Sequence, residues 1–350
     1  MGSTEKQVVL AVIGLGYWGP NIARVLHELP DVQVRYLCDR DPARLEPLLR
    51  RYPAARAAAD VDEVLSDPEV DAVCIATPVF THYDLTKRAL LAGKHTLVEK
   101  PLALSRAEAQ GLVDLADERD LTLLCGHTFL YSPPVRAVKR LLDGGELGDL
   151  YFVSSSRVNL GLHQQDVSVI WDLGPHDFSI LLHWLGEMPT TVRATGRDSI
   201  IRGLTDVAFV TLQYESGLIV NVELSWLAPS KLRRTALVGS EKMVVYDDSS
   251  GEPVRIFDHG VLYRDPETFG EYHLSYRTGD IVSPKVEATE PLSIELADFV
   301  DSVRSGDRRL DFLGIAANVV CIAEAAETSL RSGGAPVPVE PAAVPSRPAS

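Results

Sequence analysis

Residues 7–19 of the chain read QVVLAVIGLGYWG, and this stretch decides the fold of the first half. The apolar run over residues 7–13 is typical of a strand that is buried on both faces. The residues that follow fit the pattern G-x-G-x-x-G, and Pro20 then begins a segment with helical periodicity that extends to residue 29. A buried strand, a glycine-rich turn and a helix in this order predict a dinucleotide-binding unit.

The rest of the first 130 residues repeats this alternation of strand and helix. Further apolar, strand-like segments are found at residues 32–38, 71–76, 95–98 and 121–125, and amphipathic segments separate them. Because neighbouring parallel strands are joined by right-handed helical crossovers, the alternation predicts a doubly wound parallel sheet. We therefore assign residues 1–130 to an N-terminal Rossmann domain of the α/β class.

The pattern changes after residue 131. Segments such as 205–214 and 219–226 alternate apolar and polar residues with a period of two, which predicts a large, mostly antiparallel sheet. One face of this sheet is strongly apolar, and the open face is predicted to be solvated or to meet another subunit of a homo-oligomer, a dimer or a tetramer. We assign residues 131–331 to a C-terminal α+β domain for substrate binding and oligomerisation, and the Pro- and Ala-rich residues 332–350 to a disordered tail.

The composition is that of an ordinary globular protein and argues against several classes of partner. The 350 residues include 34 Lys and Arg against 49 Asp and Glu, a formal net charge of −15. This balance disfavours a broad nucleic-acid surface or an anionic membrane, whereas an anionic small molecule needs only a local basic pocket. The sequence shows no secretory signal pattern, no apolar run long enough to span a membrane and no cysteine spacing typical of zinc sites. We therefore expect a cytoplasmic protein without a metal.

The glycine-rich turn predicts how the chain contacts a dinucleotide. Gly14 permits the tight turn, Gly16 lets the backbone approach a pyrophosphate, and Gly19 lets helix and strand pack closely. Tyr17 and Trp18 lie within the same turn. The amino end of the helix then supplies N–H donors and a partial positive charge for the phosphates.

Asp39 predicts which dinucleotide binds. It ends the second strand, 20 residues after Gly19, where a carboxylate can accept hydrogen bonds from the adenosine ribose and repel a 2′-phosphate. This favours NAD(H). Arg40 and Arg44 follow closely and could instead bind that phosphate, which leaves NADP(H) as an alternative.

Two short elements farther along resemble motifs of a known family. Residues 76–78 read ATP and are followed by His82, and residues 99–101 read EKP directly after a predicted buried strand. Together with the glycine-rich turn, they resemble the Gfo/Idh/MocA family of oxidoreductases. In that family the lysine contacts both the nicotinamide ribose and the reacting hydroxyl, so the resemblance implies both roles for Lys100. The predicted cofactor contacts are Gly14, Gly16, Tyr17, Trp18, Gly19, Asp39, Arg40, Thr77, Pro78, His82, Glu99 and Lys100.

The second half carries the matching catalytic element. Residues 171–177 read WDLGPHD, and Asp172 and His176 are four residues apart, so a helix would put both on one face. The D-x-x-x-H element of the family falls here, and the resemblance implies that His176 removes the hydroxyl proton in oxidation or returns it in reduction. Asp172 would orient the imidazole, and Lys100 would stabilise the developing alkoxide.

Several segments resemble one branch of the family, the UDP-N-acetylglucosaminuronate 3-dehydrogenases and the 3-ketosugar reductases of secondary metabolism. They are residues 16–19 (GYWG), residues 126–131 (GHTFLY) and the WDLGPHD segment. This resemblance implies a hexose, often nucleotide-linked, that reacts at C3. Arg157, Asn159 and His163 are predicted to line a polyol pocket, or else to form an exposed strand end.

Lys231 and Arg233 form a basic pair in this acidic chain. They are two residues apart in a predicted strand and therefore share one face, where they could bind the diphosphate of a sugar nucleotide. The alternative is a charged edge strand that discourages pairing with other chains.

The sequence leaves three functions in competition. The first is an NAD(P)-dependent sugar oxidoreductase, acting on a nucleotide-linked hexose such as UDP-glucose, or on free inositol or another polyol. The second is a cofactor-sensing protein without catalysis, which would need neither Lys100 nor His176, although both are present. The third is a fold relative that acts on an imine or a dihydrodiol.

Overall fold

The computed structural model describes residues 7–161, 166–263 and 274–345. The described chain divides into two compact units. The first contains the residues up to Tyr131, the segment Thr289–Glu324 and the residues from Pro341 onward. The second contains Ser132–Ala288 and Ala325–Glu340.

The first unit is built on a parallel sheet. Its strands are β1 (Val8–Ile13), β2 (Val32–Cys38), β3 (Arg56–Ala58), β4 (Ala72–Ile75), β5 (His95–Glu99) and β6 (Leu123–Gly126). Within the described residues their order is β3-β2-β1-β4-β5-β6, and every neighbouring pair is parallel. This confirms the predicted doubly wound sheet. The strand order reverses between β1 and β4, and in such sheets ligands bind outside the carboxyl ends of the strands at this point.

Helices join these strands. They are α1 (Gly19–Glu28), α2 (Pro42–Arg51), α3 (Val61–Ser66), α4 (His82–Leu91) and α5 (Arg106–Glu118). Short 3-10 turns at Val79–Thr81 and Thr128–Tyr131 follow β4 and β6. The side chains of Asp41, Asp60 and Ser105 accept hydrogen bonds from backbone N–H groups in the first turns of α2, α3 and α5, which fixes where these helices begin.

The second unit is built on a larger sheet. Its strands are β7 (Leu150–Leu160), β8 (Thr191–Arg197), β9 (Val207–Gln213), β10 (Ile219–Ser225), β11 (Leu227–Gly239), β12 (Met243–Asp247), β13 (Val254–Tyr263), β14 (Leu274–Val282) and β15 (Val337–Pro338). In the part of the chain that the structure describes, their order is β14-β13-β12-β11-β7-β10-β9-β8-β15. The pair β7 and β10 is parallel and the other neighbours are antiparallel. The mostly antiparallel sheet is thereby confirmed.

One face of this sheet is covered and the other is open. Helix α7 (Val169–Leu185) packs against β7, β9 and β10, and α6 (Pro133–Asp143) packs beside it. On β10 the inward-facing Val220, Val222 and Leu224 are buried. Ile219, which points to the opposite face, is exposed, as are Phe152 beside it on β7 and Phe209 on β9.

Helix α8 (Pro291–Ser305) completes the core of the first unit. Leu292, Leu296, Phe299 and Val300 are buried in one apolar cluster with residues of β1 and α1. The sequence-based division assigned this segment to the second domain. An amphipathic helix must bury its apolar stripe, but its sequence does not tell which sheet it will cover. The following helix, α9 (Leu310–Arg331), begins in the first unit and ends in the second.

The described part of the C-terminal segment makes defined contacts. Strand β15 pairs with β8, and the backbone N–H of Ala342 donates to Asn318 Oδ1 at 2.8 Å. Gln110 Nε2 donates to the carbonyl of Ala343 at 2.7 Å. Composition favoured disorder for residues 332–350; over residues 332–345 hydrogen bonds to distant segments order the backbone, and such partners leave no trace in local composition.

The described ranges contain neither a side-chain group that could hold a metal ion nor a helix that could span a membrane. Cys38, Cys74, Cys125 and Cys321 are buried free thiols. No group of histidine, cysteine or carboxylate side chains in the described chain is arranged to hold a metal ion. Of the helices that the structure describes, none combines the length and the hydropathy needed to cross a bilayer.

Candidate active site

The glycine-rich turn between β1 and α1 is shaped by close backbone approaches. Gly14 has φ of +91°, and a Cβ at this residue would lie 2.6 Å from the carbonyl oxygen of Ala76. A Cβ on Gly19 would lie 2.0 Å from the carbonyl oxygen of Gly14. Neither position therefore accepts a larger residue without displacement of the backbone.

Gly16, in contrast, has open space around it. It is exposed, and the nearest atom to a Cβ built on it is Arg44 Nη1, at 3.8 Å. The backbone here is open on one side, at the carboxyl end of β1 and before the amino end of α1. A pyrophosphate needs this kind of cradle to reach backbone N–H groups, so the turn fits a dinucleotide.

Asp39 is tied to this turn. Its Oδ2 accepts a hydrogen bond from the backbone N–H of Leu15 at 2.7 Å, and its Oδ1 accepts one from Asp41 at 2.9 Å. Arg44 Nη1 lies 3.6 Å from Oδ2. The carboxylate thus holds the glycine-rich turn against the end of β2, at the position where the sequence predicted ribose binding.

The Asp39 assignment predicts a change in cofactor choice. In Asp39→Asn the amide oxygen can still accept from Leu15, but the negative charge that repels a 2′-phosphate is lost. We expect a smaller ratio of the NADP⁺ to the NAD⁺ dissociation constant than in the wild type. We also expect a lower unfolding midpoint, because the Asn NH₂ group cannot accept from the Asp41 N–H. Dissociation constants from cofactor fluorescence titration would measure this. A wild-type preference for NADP⁺ of about tenfold or more would contradict the assignment.

The other predicted cofactor contacts of this edge are exposed to different degrees. Tyr17 is 83% exposed and Trp18 is 41% exposed, and their rings meet edge to face at 5.6 Å. Arg40 is exposed, and Thr77 and Pro78 follow the carboxyl end of β4. The turn after β4 adjoins the glycine-rich turn, because a Cβ on Gly14 would lie 2.7 Å from Thr77 Cγ2.

Lys100 directly follows β5 and is half-buried. The next peptide bond, Lys100–Pro101, is cis. Pro101 is held from the side by His82 at the start of α4, whose Nδ1 lies 2.8 Å from the Pro101 carbonyl oxygen. This places the lysine at the carboxyl edge of the parallel sheet, as the sequence predicted.

A cluster of buried titratable groups lies beside Lys100 in the first unit. Glu99 pairs in register with Gly126, and a Cβ on that glycine would lie 3.1 Å from Glu99 Oε2. Burial raises the pKa of Glu99 to about 7, against the opposing charge of Lys100. Burial, together with Lys100, lowers the pKa of His127 to about 3. The lysine is therefore flanked by groups whose charged forms are disfavoured.

Glu295 of α8 adds a second buried carboxyl group to this cluster. Its Oε2 accepts a hydrogen bond from Thr128 Oγ1 at 2.7 Å. Burial, and then the negative charge of Glu99, raise the pKa of Glu295 well above its ordinary value. A helix from the C-terminal part of the chain thus supports the segment that follows β6.

These raised carboxyl pKa values contribute a loss of stability of the first unit as the pH rises. The folded chain holds carboxyl protons that the unfolded chain releases, so this contribution is full below the ordinary pKa of 4.5 and is lost as the pH rises through about 7 for Glu99. The lowered pKa of His127 acts in the opposite sense, because its contribution rises between about pH 3 and its ordinary value of 6.5. Urea unfolding at a series of pH values should therefore show the fall above about pH 6.5. Glu295→Gln, which keeps the acceptor for Thr128, should flatten it, and Glu118→Gln on the exposed face of α5 should not. An unchanged slope in Glu295→Gln would contradict the proposed titration.

In the second unit, Asp172 and His176 lie on α7, as predicted, and both are half-buried. Asp172 belongs to the first turn of the helix, where a carboxylate is favourable. Its Oδ2 accepts a hydrogen bond from Trp226 Nε1 at 3.0 Å. Trp226 is 1% exposed, so its indole gives Asp172 a fixed orientation. An oriented carboxylate one helical turn from an imidazole is a suitable arrangement for acid–base chemistry.

Arg157 is buried on β7. It is 3% exposed and forms an ion pair with Asp177, which also accepts from Ser155 Oγ at 2.7 Å. A buried guanidinium needs such a carboxylate, because an unpaired charge would be costly to desolvate. Arg157 is therefore not part of an exposed strand end; it supports the residue next to His176, and its contact with a polyol stays a prediction.

The remaining predicted substrate contacts are spread over β7 and β11. Asn159 is half-buried near the end of β7, and His163 lies outside the described residues. Lys231 is exposed on β11, and Arg233 is half-buried with Nη1 at 2.9 Å from Asp248 Oδ2. The basic pair is present on this strand, and Asp248 orients one of its members.

Sequence reasoning missed two supporting residues, and each had a signal. Trp226 ends an alternating strand on its apolar face, where the N–H of a buried indole needs an acceptor. Glu295 interrupts the apolar stripe of α8, between Leu292 and Leu296. A carboxyl group in such a stripe indicates a buried polar partner.

Comparison with known proteins assigns the family. Residues 8–127 match the Gfo/Idh/MocA model described as an oxidoreductase family with an NAD-binding Rossmann fold, and residues 135–245 match the Gfo/Idh/MocA C-terminal domain. The chain belongs to the Gfo/Idh/MocA family of oxidoreductases. This confirms the resemblance seen in the sequence, and the first unit of this Gfo/Idh/MocA protein is an NAD-binding domain.

Similar proteins of the Gfo/Idh/MocA family include dehydrogenases of sugars and polyols. The chain is 30% identical to scyllo-inositol 2-dehydrogenase (NAD(+)) of Bacillus subtilis, over 64% of this chain and 69% of that protein. It is 32% identical to UDP-N-acetylglucosamine 3-dehydrogenase of Acidithiobacillus ferrooxidans, over 55% of this chain and 59% of that protein. Several curated relatives are matched over only about three fifths of their own length.

A solved structure is similar over nearly the whole chain. GenD2 from gentamicin A biosynthesis, in complex with NAD, superposes with a TM-score of 0.81 and 27% identity. The match covers 97% of this chain and 99% of that one. The match therefore extends over both units of the present chain, to a protein whose structure was solved in complex with NAD.

Proposed function

We propose that the chain is an NAD(P)-dependent oxidoreductase that acts on C3 of a nucleotide-linked hexose, such as UDP-glucose or a related UDP- or dTDP-sugar. The observation that carries this is the pair of half-buried groups with acid–base and cationic chemistry. Lys100 follows β5 at the dinucleotide-binding edge, and His176 lies one turn from an Asp172 that Trp226 orients. A non-catalytic cofactor sensor needs neither group.

Each residue has a distinct part in the proposed reaction. The bound nicotinamide supplies the chemistry of hydride transfer. His176 removes the proton from the sugar hydroxyl in oxidation and returns it in reduction, and Asp172 favours the charged imidazolium. Lys100 stabilises the alkoxide through its positive charge. Gly16 and the amino end of α1 hold the pyrophosphate, and Asp39 holds the ribose.

Two observations support a nucleotide-linked substrate. UDP-N-acetylglucosamine 3-dehydrogenase is among the curated relatives, at 32% identity. Lys231 and Arg233 lie on one strand of a chain whose net charge is −15, and a diphosphate entering such a chain needs local cations. Arginine offers two parallel hydrogen bonds to phosphate oxygens, and lysine adds a point charge.

The proposal is tested with a substrate panel. Purified protein with NAD⁺ or NADP⁺ is incubated with UDP- and dTDP-hexoses, the matching free sugars and inositols, and the absorbance of the reduced cofactor is followed. We expect turnover of at least one sugar nucleotide with a much higher kcat/KM than its free sugar. Equal turnover of a free sugar or inositol would instead favour a polyol dehydrogenase, which the match to scyllo-inositol 2-dehydrogenase makes the second candidate.

The basic pair predicts a selective effect on substrate binding. Lys231→Ala should raise KM for the sugar nucleotide roughly 3- to 10-fold and leave kcat nearly unchanged, because a contact that is equal in ground and transition states is removed. Arg234→Ala is the matched control, since Arg234 is an exposed cation of the same strand on the face opposite to Arg233. An unchanged KM in Lys231→Ala, or an equal rise of KM in the control, would show that the diphosphate does not bind to this strand.

We also propose that the open face of the second sheet pairs with a second copy of the chain. Phe152, Phe209 and Ile219 are exposed there on adjacent strands, and large apolar side chains that are exposed together are typical of an interface. Sedimentation equilibrium should give a dimer or tetramer. A monomer at micromolar concentration would contradict this proposal.

A further inference from the structure

His82, the first residue of α4, links the two turns that carry the predicted cofactor and lysine sites. Its Nδ1 lies 2.8 Å from the carbonyl oxygen of Pro101, and its Nε2 lies 2.9 Å from the carbonyl oxygen of Thr77. The residue is 1% exposed. The two ring nitrogens therefore join the turn after β4 to the turn after β5, inside the first unit.

The chemistry of the two partners fixes the protonation of the ring. A backbone carbonyl oxygen accepts hydrogen bonds and cannot donate them. A neutral imidazole has one N–H donor and one acceptor nitrogen, so it can satisfy only one of these carbonyls. Both contacts are hydrogen bonds only if both nitrogens carry a proton.

We propose that His82 is a buried imidazolium that positions the Lys100 turn against the Thr77 turn. It is a positioning residue, because it acts through the carbonyl of Pro101 next to Lys100. This inference rests on the proposed function only for the role of Lys100. The charged state of His82 follows from its two partners.

The surrounding groups explain why the loss of His82 should affect the lysine more than the cofactor. The Thr77 turn keeps other supports, since Thr77 Oγ1 and Thr81 Oγ1 lie 2.7 Å apart and the Thr81 N–H donates to the Pro78 carbonyl at 2.9 Å. It also packs against Gly14. The tie from His82 to Pro101 spans 19 residues and joins two different turns.

Charged residues lie on several segments around His82, and α5, which packs against α4, carries Arg106, Glu108, Asp114, Asp117 and Glu118. Asp84 lies in the first turn of the same helix, and Glu99 and Lys100 precede Pro101 on the other side. The turn at Val79–Thr81 and residues 102–104 carry no charged side chain. The amino end of α4 disfavours a cation. The two carbonyl oxygens accept from the ring and stabilise the proton.

Nitrogen NMR of the ring tests the charged state without any substrate. In protein labelled with ¹⁵N-histidine, both ring nitrogens of His82 should show protonated signals at about pH 8, where an ordinary histidine is neutral. His95 is the internal reference, because its Nδ1 accepts from the Thr122 N–H at 3.0 Å and so must be unprotonated. His82→Gln identifies the signals by their loss. An unprotonated nitrogen in His82 would overturn the proposal.

Kinetics of His82→Phe test the positioning role. The phenyl ring fills the site but donates to neither carbonyl, so kcat should fall roughly 10- to 10²-fold through misplacement of Lys100. The dissociation constant for NAD⁺ should stay within about threefold of the wild type. His27→Phe on α1 is the control and should leave both values unchanged. An equal loss of NAD⁺ affinity and kcat, or no loss of kcat, would overturn the positioning role.

The two readouts separate this inference from the proposed function. If no sugar or polyol is turned over while His82 is doubly protonated, the proposed function fails and the imidazolium stands. If a sugar nucleotide is oxidised while His82 holds one proton, the imidazolium fails and the proposed function stands.

Discussion

Replacing His176 with alanine should lower turnover of the sugar nucleotide at least roughly 10²-fold, which is the contribution expected of a positioned acid–base group. An imidazole side chain can take up and return a proton near neutral pH, and on α7 the imidazole of His176 lies one turn from Asp172. The dissociation constant for NAD⁺ should remain near the wild-type value, because His176 belongs to the second unit and the dinucleotide residues belong to the first. Steady-state kinetics and cofactor titration measure the two effects.

Trp226→Phe tests the hydrogen bond that orients Asp172. The phenyl ring retains most of the buried volume but loses the N–H that reaches Asp172 at 3.0 Å. Turnover should fall by less than in His176→Ala, and the pH at which kcat is half-maximal should shift. If His176→Ala retained more than about a tenth of wild-type turnover with chemistry rate-limiting, His176 would not be the base.

Lys100→Ala should also lower kcat at least roughly 10²-fold, because the positive charge that stabilises the alkoxide is removed. In contrast to His176→Ala, this variant should weaken the cofactor as well, since the resemblance implies a contact to the nicotinamide ribose. Lys100→Arg keeps the charge but changes its shape, and it should recover only part of the activity. Rapid-mixing measurement of the first turnover separates chemistry from product release.

Lys87→Ala is the matched control for this lysine. Lys87 is exposed on α4, with its ammonium group 5.6 Å from the ring centroid of Tyr83. Its removal should change neither kcat nor the NAD⁺ dissociation constant. Full activity of Lys100→Ala would contradict the role of Lys100 and would show that another group stabilises the alkoxide.

The fold of the first unit could be predicted closely because its signals are local. The apolar runs at 7–13 and 32–38 correspond to β1 and β2 with ends that differ by at most one residue. The short strand β3 and helix α3 were not predicted, since three to six residues give too little periodicity to recognise. The position of α8 could not be predicted, because either sheet offers an apolar face to an amphipathic helix.

The candidate site could be predicted where residues are linked by a short motif. Short motifs predicted the glycine-rich turn, Lys100 and the pair Asp172 and His176 as candidate site residues. Contacts between residues that are distant in the sequence were not predicted. Trp226 meets Asp172 across 54 residues, and Thr128 meets Glu295 across 167. Arg157 shows the converse, because a polar residue near a predicted pocket turned out to be buried against Asp177.

Isotope transfer tests the central claim, that hydride leaves C3 of a nucleotide-linked hexose. UDP-glucose, or the sugar nucleotide that the substrate panel selects, is prepared with deuterium at C3 and oxidised with NAD⁺. The mass of the reduced cofactor is then measured by mass spectrometry. We predict that the deuterium appears in the reduced cofactor and that the product is a 3-keto sugar. Formation of an oxidised product with the deuterium still at C3, or reduced cofactor without deuterium, would contradict the proposed reaction.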